Sequence, residues 1–339
     1  MTQTSNSTNA QTALERLLKA TKSDMEKVNS LILSRAESHV EMVPKLAHYL
    51  IESGGKRLRP MLTIASASMF ANDDKNSLKN ATHFAAAVEF MHNATLLHDD
   101  VVDESKMRRG KPAARMIWGN QASVLVGDFL LGQAFLMMVE TRDLDALNIL
   151  STAATIIAEG EVFQLSKTSD LATTKEEYDL VIRSKTATLF EAATKVGAMA
   201  GGATNEQCEA LGEYGTELGR AFQLVDDALD YGGLSKSMGK NTGDDLREGK
   251  MTLPIIIALQ KSNETEKALI ISALGNQDLE PEIVEKVIAL LAKKDALKET
   301  LTEAKKCVSN AKAALKKLPK SEMRELLADI ADFCLLRAS

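Results

Sequence analysis

Residues 80–104, NATHFAAAVEFMHNATLLHDDVVDE, run on without a glycine or proline and mix alanine with large apolar residues throughout. A second run, LERLLKATKSDMEKVNSLILSRA at 14–36, places Leu14, Leu17, Leu18, Met25, Val28, Leu31 and Ile32 at spacings of three, four and seven. Helical periodicity sustained over such lengths leaves little room for a sheet, because strands need period two and frequent turn signals. The composition agrees: Ala, Leu, Lys and Glu, all strong helix formers, dominate, and only 6 prolines occur. The predicted fold class is all-α.

The breaks are few. SGGKRLRP (53–60), RRGKPAARMIWGN (108–120) and LSKSMGKNTGDDLREGKMTLP (234–254) read as loops, the last long enough to suggest function. Residues 1–12 are polar and predict a frayed tail, leaving 13–339 as one large helical domain. No low-complexity linker or internal repeat divides it. A net charge of -6 excludes a general nucleic-acid binder. Cys208, Cys307 and Cys334 lack metal or redox spacing and are expected to fill helix faces in a reducing compartment. The start resembles no signal peptide, and no uninterrupted apolar stretch spans a membrane, so a cytoplasmic location is expected.

Two acid clusters carry the chemistry. LLHDDVVD and QLVDDALD hold Asp99, Asp100, Asp103 and Asp226, Asp227, Asp230 in the same i, i+1, i+4 arrangement. On a helix Asp103 falls about 40° from Asp99 and Asp100 about 100° away, so each trio shares one arc. Like charges stacked at the end of an apolar helix are unfavourable unless a cation joins them. Oxygen-only clusters select hard cations such as Mg²⁺, which complete their shell with water and phosphate oxygens. Two such faces across a helical cleft would hold a diphosphate through bridging metal.

Cations follow in the breaks. Arg108 and Arg109 come directly after the first trio, Lys56, Arg57 and Arg59 sit beside Gly54 and Gly55, Lys185 adjoins Thr186, and Lys240 and Lys250 lie in the long polar loop. Arginine suits bidentate phosphate contact, and glycine lets backbone approach a ligand. His98, Trp118 and the methionines are read as packing residues.

The ordered set GGKRLRP, LLHDDVVDESKMRRGKP, GDFLL, KTATLF, FQLVDDALDY and GKNTGDDLREGKMTLP resembles the trans-type polyprenyl diphosphate synthases over about residues 13–339. The resemblance implies an isoprenoid-synthase fold with a central active-site cleft, commonly homodimeric. It implies head-to-tail addition of isopentenyl diphosphate to an allylic diphosphate, with Mg²⁺ as cofactor. Carried over, Asp99, Asp103 and Asp226 ligate metal, with Asp100, Asp227 and Asp230 contributing. Arg108, Lys185 and Lys240 bind the allylic diphosphate. Lys56, Arg59, His92 and Arg109 bind isopentenyl diphosphate, and Thr186 and Gln223 stand beside the carbocation.

Small residues at Ala94 and Thr95, where the family's short-chain enzymes carry bulky aromatics, imply a long product, octaprenyl to decaprenyl, of the kind used as a quinone side chain. Thr95 lies about 40° from Asp99 and can face the cleft one turn deeper, whereas Ala94 lies about 140° away. Phe135 is the candidate pocket floor. A short-chain synthase and a non-catalytic subunit are the alternatives within the family. A class I terpene cyclase would lack the GGK cluster and the second DDxxD. The sequence leaves open any transient membrane contact during product release.

Overall fold

The computed structural model describes residues 2–71, 75–232 and 242–336; the side chains of 2–12 and 75–77 fall outside that description. It contains α1 (Thr2–Arg35), α2 (Met42–Glu52), α3 (Leu58–Ser68), α4 (Lys75–Val102), α5 (Ala114–Glu140), α6 (Leu144–Ser166) and α7 (Lys175–Ile182). After a π-helical turn, Arg183–Ala187, come α8 (Thr188–Ala200), α9 (Asn205–Tyr231), α10 (Asp244–Arg247), α11 (Leu253–Lys261), α12 (Glu264–Ala273), α13 (Pro281–Lys293), α14 (Ala296–Leu315) and α15 (Glu322–Leu336). The backbone of α1 reaches back to Thr2, where a frayed tail is expected; a nucleated helix extends at little cost per residue.

Local chemistry sets several boundaries. Asp143 caps α6 by accepting from the Ala146 N–H at 2.9 Å, and reciprocal capping boxes start α7 (Thr174 with Glu177) and α9 (Thr204 with Gln207). The uninterrupted apolar run at 80–104 forms most of α4, which lies inside the bundle between α3, α5 and α8. Helix α9 packs on α8 and α14, and the two acid trios close α4 and α9 at the same end of the core. One large buried cluster runs through all of these helices, with Phe84, Phe90, Phe190, Tyr214 and Tyr231 among its largest members. Cys208, Cys307 and Cys334 are buried on helix faces, as expected.

The region expected as an irregular link after the first trio is more ordered. Met107–Arg108 and Lys111–Pro112 form a two-stranded antiparallel hairpin, with Arg108 opposite Lys111. Arg109 and Gly110 are its two-residue turn, with φ of 52° and 76°. Two positive φ values define a type I′ turn, the kind that matches strand twist and calls for glycine.

Helices α5 and α6 are long and apolar enough to cross a membrane by length and composition, with mean hydropathies of 1.8 and 1.2. Both are part of the bundle: α5 packs on α4, and α6 on α8. Their outward faces nevertheless carry bare apolar side chains, including Leu125 (66% exposed), Leu144 (77%) and Val162 (67%).

Candidate active site

A single cavity of about 730 Å³ lies between the ends of α4 and α9, and both acid motifs open onto it. Asp99 and Asp103 line one wall; Asp226 and Asp227 line another. Asp100 and Asp230 do not reach it. Asp100 is 1% exposed and turned inward, where Arg108 Nε and Nη2 both approach its Oδ1 at 2.7 Å. The Oδ2 of Asp230 accepts from the Asp245 backbone N–H at 3.2 Å, tying the chain before α10 to the end of α9. The two trios split differently: the i+1 member, Asp100, leaves the first, whereas the i+4 member, Asp230, leaves the second, and in each the first member faces the cavity.

The π-helical turn aims the next two groups. A π-turn adds a residue to the helix and offsets the side chains that follow, a device concentrated at functional sites. It is gripped on two sides by glycines. A Cβ on Gly160 of α6 would lie 2.5 Å from Ser184 Cβ and 3.2 Å from the Lys185 nitrogen. One on Gly219 of α9 would lie 2.6 Å from Ala187 Cα. Gly160→Ala is therefore expected to push Lys185 from its place and to cost about 1–3 kcal/mol through overpacking. Chemical denaturation and steady-state kinetics check this, with turnover falling more than the stability loss alone explains.

From this turn Lys185 Nζ reaches Glu161 Oε2 at 2.7 Å and Asp99 Oδ2 at 3.9 Å. Across the cavity Lys250 Nζ lies 2.8 Å from Asp103 Oδ2 and 2.5 Å from Glu248 Oε2. Thr186 Oγ1 donates to Gln223 Oε1 at 2.8 Å, and Gln223 Nε2 donates to Asp227 Oδ1 at 2.8 Å. The Tyr178 hydroxyl donates to the other oxygen of Asp227 at 2.5 Å.

The electrostatics follow from burial. Desolvation pushes the Asp99, Asp100, Glu161 and Glu248 carboxyls above the usual range despite neighbouring cations. Asp227 goes up to about 7, through burial and then the neighbouring Asp245, against the pull of its hydrogen bonds. Asp103 is the exception: burial acts upward, but Lys250, Lys185 and Arg108 together hold it below the usual value.

A second, cationic region of the same cavity is built from the GGK break and the hairpin. Gly55 lies against the Arg109 guanidinium, where a Cβ would be 2.8 Å from Nη1. Arg59 lies over the Phe190 ring at 4.4 Å, with a buried Nε that has no hydrogen-bond partner. Burial, with Arg109 adding to it and Glu89 opposing, lowers Arg59 to about 10, so it stays charged at neutral pH. Lys56 rests on the Phe333 ring at 4.6 Å. Burial and then Arg59, Arg109 and Arg108 push His92 well below its usual value, so it faces the cavity as a neutral imidazole.

Of the expected site residues, Ala94 and Phe135 are not brought to the cavity. Ala94 is 2% exposed and packs in the core, and Phe135 is a half-buried core neighbour, while Thr95 does line the wall. Lys240 lies outside the described residues. Glu161, Gln164 and Tyr178 line the cavity without having been anticipated. A glutamate and a glutamine three apart within the apolar run of α6 were a readable signal for the first two; Tyr178 had none.

The donor set fits a hard divalent cation, since the cavity gathers carboxylates from four segments of the chain and neither cysteine nor a charged histidine. Glu161 Oε1 and Gln164 Oε1 are buried acceptors without a hydrogen-bond partner, of the kind a hydrated ion satisfies. Among the described residues no three such groups converge into a ready-made cage.

An all-α bundle with two acidic motifs and a cationic pocket in one cavity defines the class as a helical isoprenoid synthase. The polyprenyl synthetase family model matches residues 40–291. The chain is 42% identical to the octaprenyl diphosphate synthase of Haemophilus influenzae, covering 94% of this chain and 95% of that one. A crystal structure of a Caulobacter crescentus polyprenyl synthase, complexed with calcium and isoprenyl diphosphate, superposes with a TM-score of 0.91 at 46% identity, covering 96% and 98% of the two chains. A decaprenyl diphosphate synthase from Rhodobacter capsulatus gives 0.90 at 46% identity, covering 96% and 99%. The chain belongs to the polyprenyl synthetase family; it is a trans-prenyltransferase that makes long-chain polyprenyl diphosphates.

Proposed function

We propose that this enzyme extends an allylic diphosphate with isopentenyl diphosphate to an octaprenyl-to-decaprenyl product destined for a quinone side chain, and that its divalent cation is Mg²⁺. The observation that carries this reading is the meeting of both acid motifs with the cationic pocket in one cavity. Mg²⁺ held by Asp99, Asp103 and Asp226 would neutralise charge on the allylic diphosphate and favour departure of pyrophosphate. Lys185 and Arg108 bind the same diphosphate from the protein side. Lys56, Arg59, Arg109 and neutral His92, as a hydrogen-bond donor, receive the diphosphate of isopentenyl diphosphate.

No protein nucleophile is needed. The allylic C–O bond breaks, and the isopentenyl double bond attacks the resulting cation. The released pyrophosphate takes the final proton. Thr186 and Gln223 offer oxygens to the cation, while Phe190, Phe222, Val181 and Ile182 give the cavity an apolar lining that excludes water. The purified protein with Mg²⁺, farnesyl diphosphate and labelled isopentenyl diphosphate tests the reading. Failure of the protein alone to incorporate label supports a non-catalytic subunit instead.

Thr95 is the residue of the pair best placed to admit a long chain. Thr95→Phe is expected to shorten the product by several isoprene units with little loss of stability. Ala94→Phe meets a closed core and is expected to cost about 1–3 kcal/mol through overpacking. Chromatographic sizing of products and thermal denaturation separate the two effects.

The bare apolar side chains on α5 and α6, Leu125, Leu144 and Val162 among them, support a homodimer, because large apolar side chains gain by leaving water in an interface. Leu125→Glu with Val162→Glu is expected to convert a dimer to monomer in analytical ultracentrifugation.

A further inference from the structure

We propose that Tyr178 is a positioning residue for the condensation: through Asp227 it fixes the amide of Gln223 with its carbonyl oxygen toward Thr186 and the reacting chain. The inference rests on the proposed place of Gln223 and Thr186 beside the allylic cation. It goes beyond that placement by saying what orients them.

Four side chains from three elements form one relay. Tyr178 on α7 is 5% exposed, and its hydroxyl donates to Asp227 Oδ2 at 2.5 Å. Gln223, one turn before Asp227 on α9, donates its amide N–H to Asp227 Oδ1 at 2.8 Å. Thr186 in the π-turn donates to Gln223 Oε1 at 2.8 Å. All four line the cavity.

A glutamine amide has two ends of opposite polarity, and its surroundings decide which points where. Both oxygens of Asp227 act as acceptors, Oδ2 from the Tyr178 hydroxyl and Oδ1 from Gln223, so the end of Gln223 facing Asp227 is the NH₂. The other end, the carbonyl, is thereby presented to Thr186 and the cavity. A cation forming there meets the negative end of the amide dipole, and the Thr186 oxygen keeps lone pairs for it as well. With the amide reversed, the same cation would meet N–H protons.

Asp227 controls this choice only while it is itself held. It is 3% exposed, and each of its oxygens accepts a protein hydrogen bond, one from Gln223 and one from Tyr178. Without the tyrosine hydroxyl one oxygen loses its donor in a buried site, which favours a reoriented carboxylate. Asp227 is on this account the anchor of the second motif, whereas half-buried Asp226 faces the ligands.

A double-mutant cycle on the whole enzyme tests the relay. Tyr178→Phe keeps the ring and removes only the hydroxyl. It is expected to lower kcat about 10-fold, as small misplacements near a reacting centre do, with KM for isopentenyl diphosphate within about twofold, since that pocket is not part of the relay. Gln223→Ala should lower kcat at least as much, and the double variant should be no slower than Gln223→Ala alone. Should Gln223→Ala fail to fold, Gln223→Met takes its place in the cycle.

If Gln223→Ala turns over like the parent, the placement of Gln223 beside the cation fails, and the inference falls with it. If Gln223→Ala is slow but Tyr178→Phe is not, or if the two losses multiply, the placement stands and the role of Tyr178 is overturned.

Discussion

Asp103→Ala is expected to reduce turnover by about 1,000-fold, the upper range for losing one preorganised electrostatic group, and to lower Tm as well. Within the first motif Asp103 alone has its carboxyl held below the usual range, because Lys250, Lys185 and Arg108 outweigh its burial. It therefore carries full charge wherever the enzyme works, which a metal ligand requires. The same carboxylate is one of two that secure Lys250, whose ammonium burial would otherwise disfavour. Its loss removes a ligand and leaves a buried cation with only Glu248 and the charge of Asp245, a kind of defect that costs about 3–5 kcal/mol when a buried pair is fully broken. Asp100→Ala gives the contrast. Asp100 does not reach the cavity but holds Arg108, so its replacement should raise KM for the allylic diphosphate more than it lowers kcat. Kinetics at saturating Mg²⁺ separate the two variants; equal effects would contradict the division of labour within the trio.

The second large effect is on stability against pH. The Asp227 carboxyl is raised from 3.8 to about 7 in the folded protein. The fold therefore binds a proton that the unfolded chain releases. This contribution is fully present below about pH 4 and is lost as pH rises through 7. Asp99, Asp100, Glu161, Glu248 and Glu89 are raised too and act in the same direction. Carboxyls shifted the other way, such as Glu266 at about 2 beside Lys294 and Lys293, titrate below this window and add no slope there; His92, held well below its usual value in the fold, gains a proton on unfolding within the window and so opposes part of the fall. With chelator present, unfolding free energy is expected to fall by about 2 kcal/mol from pH 5.5 to 7.5 on account of Asp227 alone. Saturating Mg²⁺ binds the ionised carboxylates and stabilises increasingly as pH rises, so the slope should shrink or reverse. Denaturant titrations at the two pH values, with and without metal, check this. Parallel slopes would contradict a metal-binding role for the cluster.

Much of the site could be read because helices project side chains at a fixed angle. The i, i+1, i+4 spacing set each trio on one arc, and Asp99 and Asp103 do line the cavity together, but Asp100, about 100° round from Asp99, is buried against Arg108 instead. The same geometry favoured Thr95 over Ala94, and Thr95 is the one at the cavity wall. What stayed illegible depends on packing at long range. Lys250 meets Asp103 from 147 positions away, and no local pattern announces that. The π-turn that aims Lys185 is held between α6 and α9 at Gly160 and Gly219, a property of three elements together. The hairpin turn at Arg109 and Gly110 was hidden because only its glycine carries a turn signature, and arginine at positive φ is unusual.

The most direct test of the account is the length of the product made by the purified chain from farnesyl diphosphate and labelled isopentenyl diphosphate with Mg²⁺. The account predicts octaprenyl to decaprenyl diphosphate, with incorporation abolished by chelator. Products that stop at geranylgeranyl diphosphate, or the absence of any incorporation by the protein on its own, would contradict it.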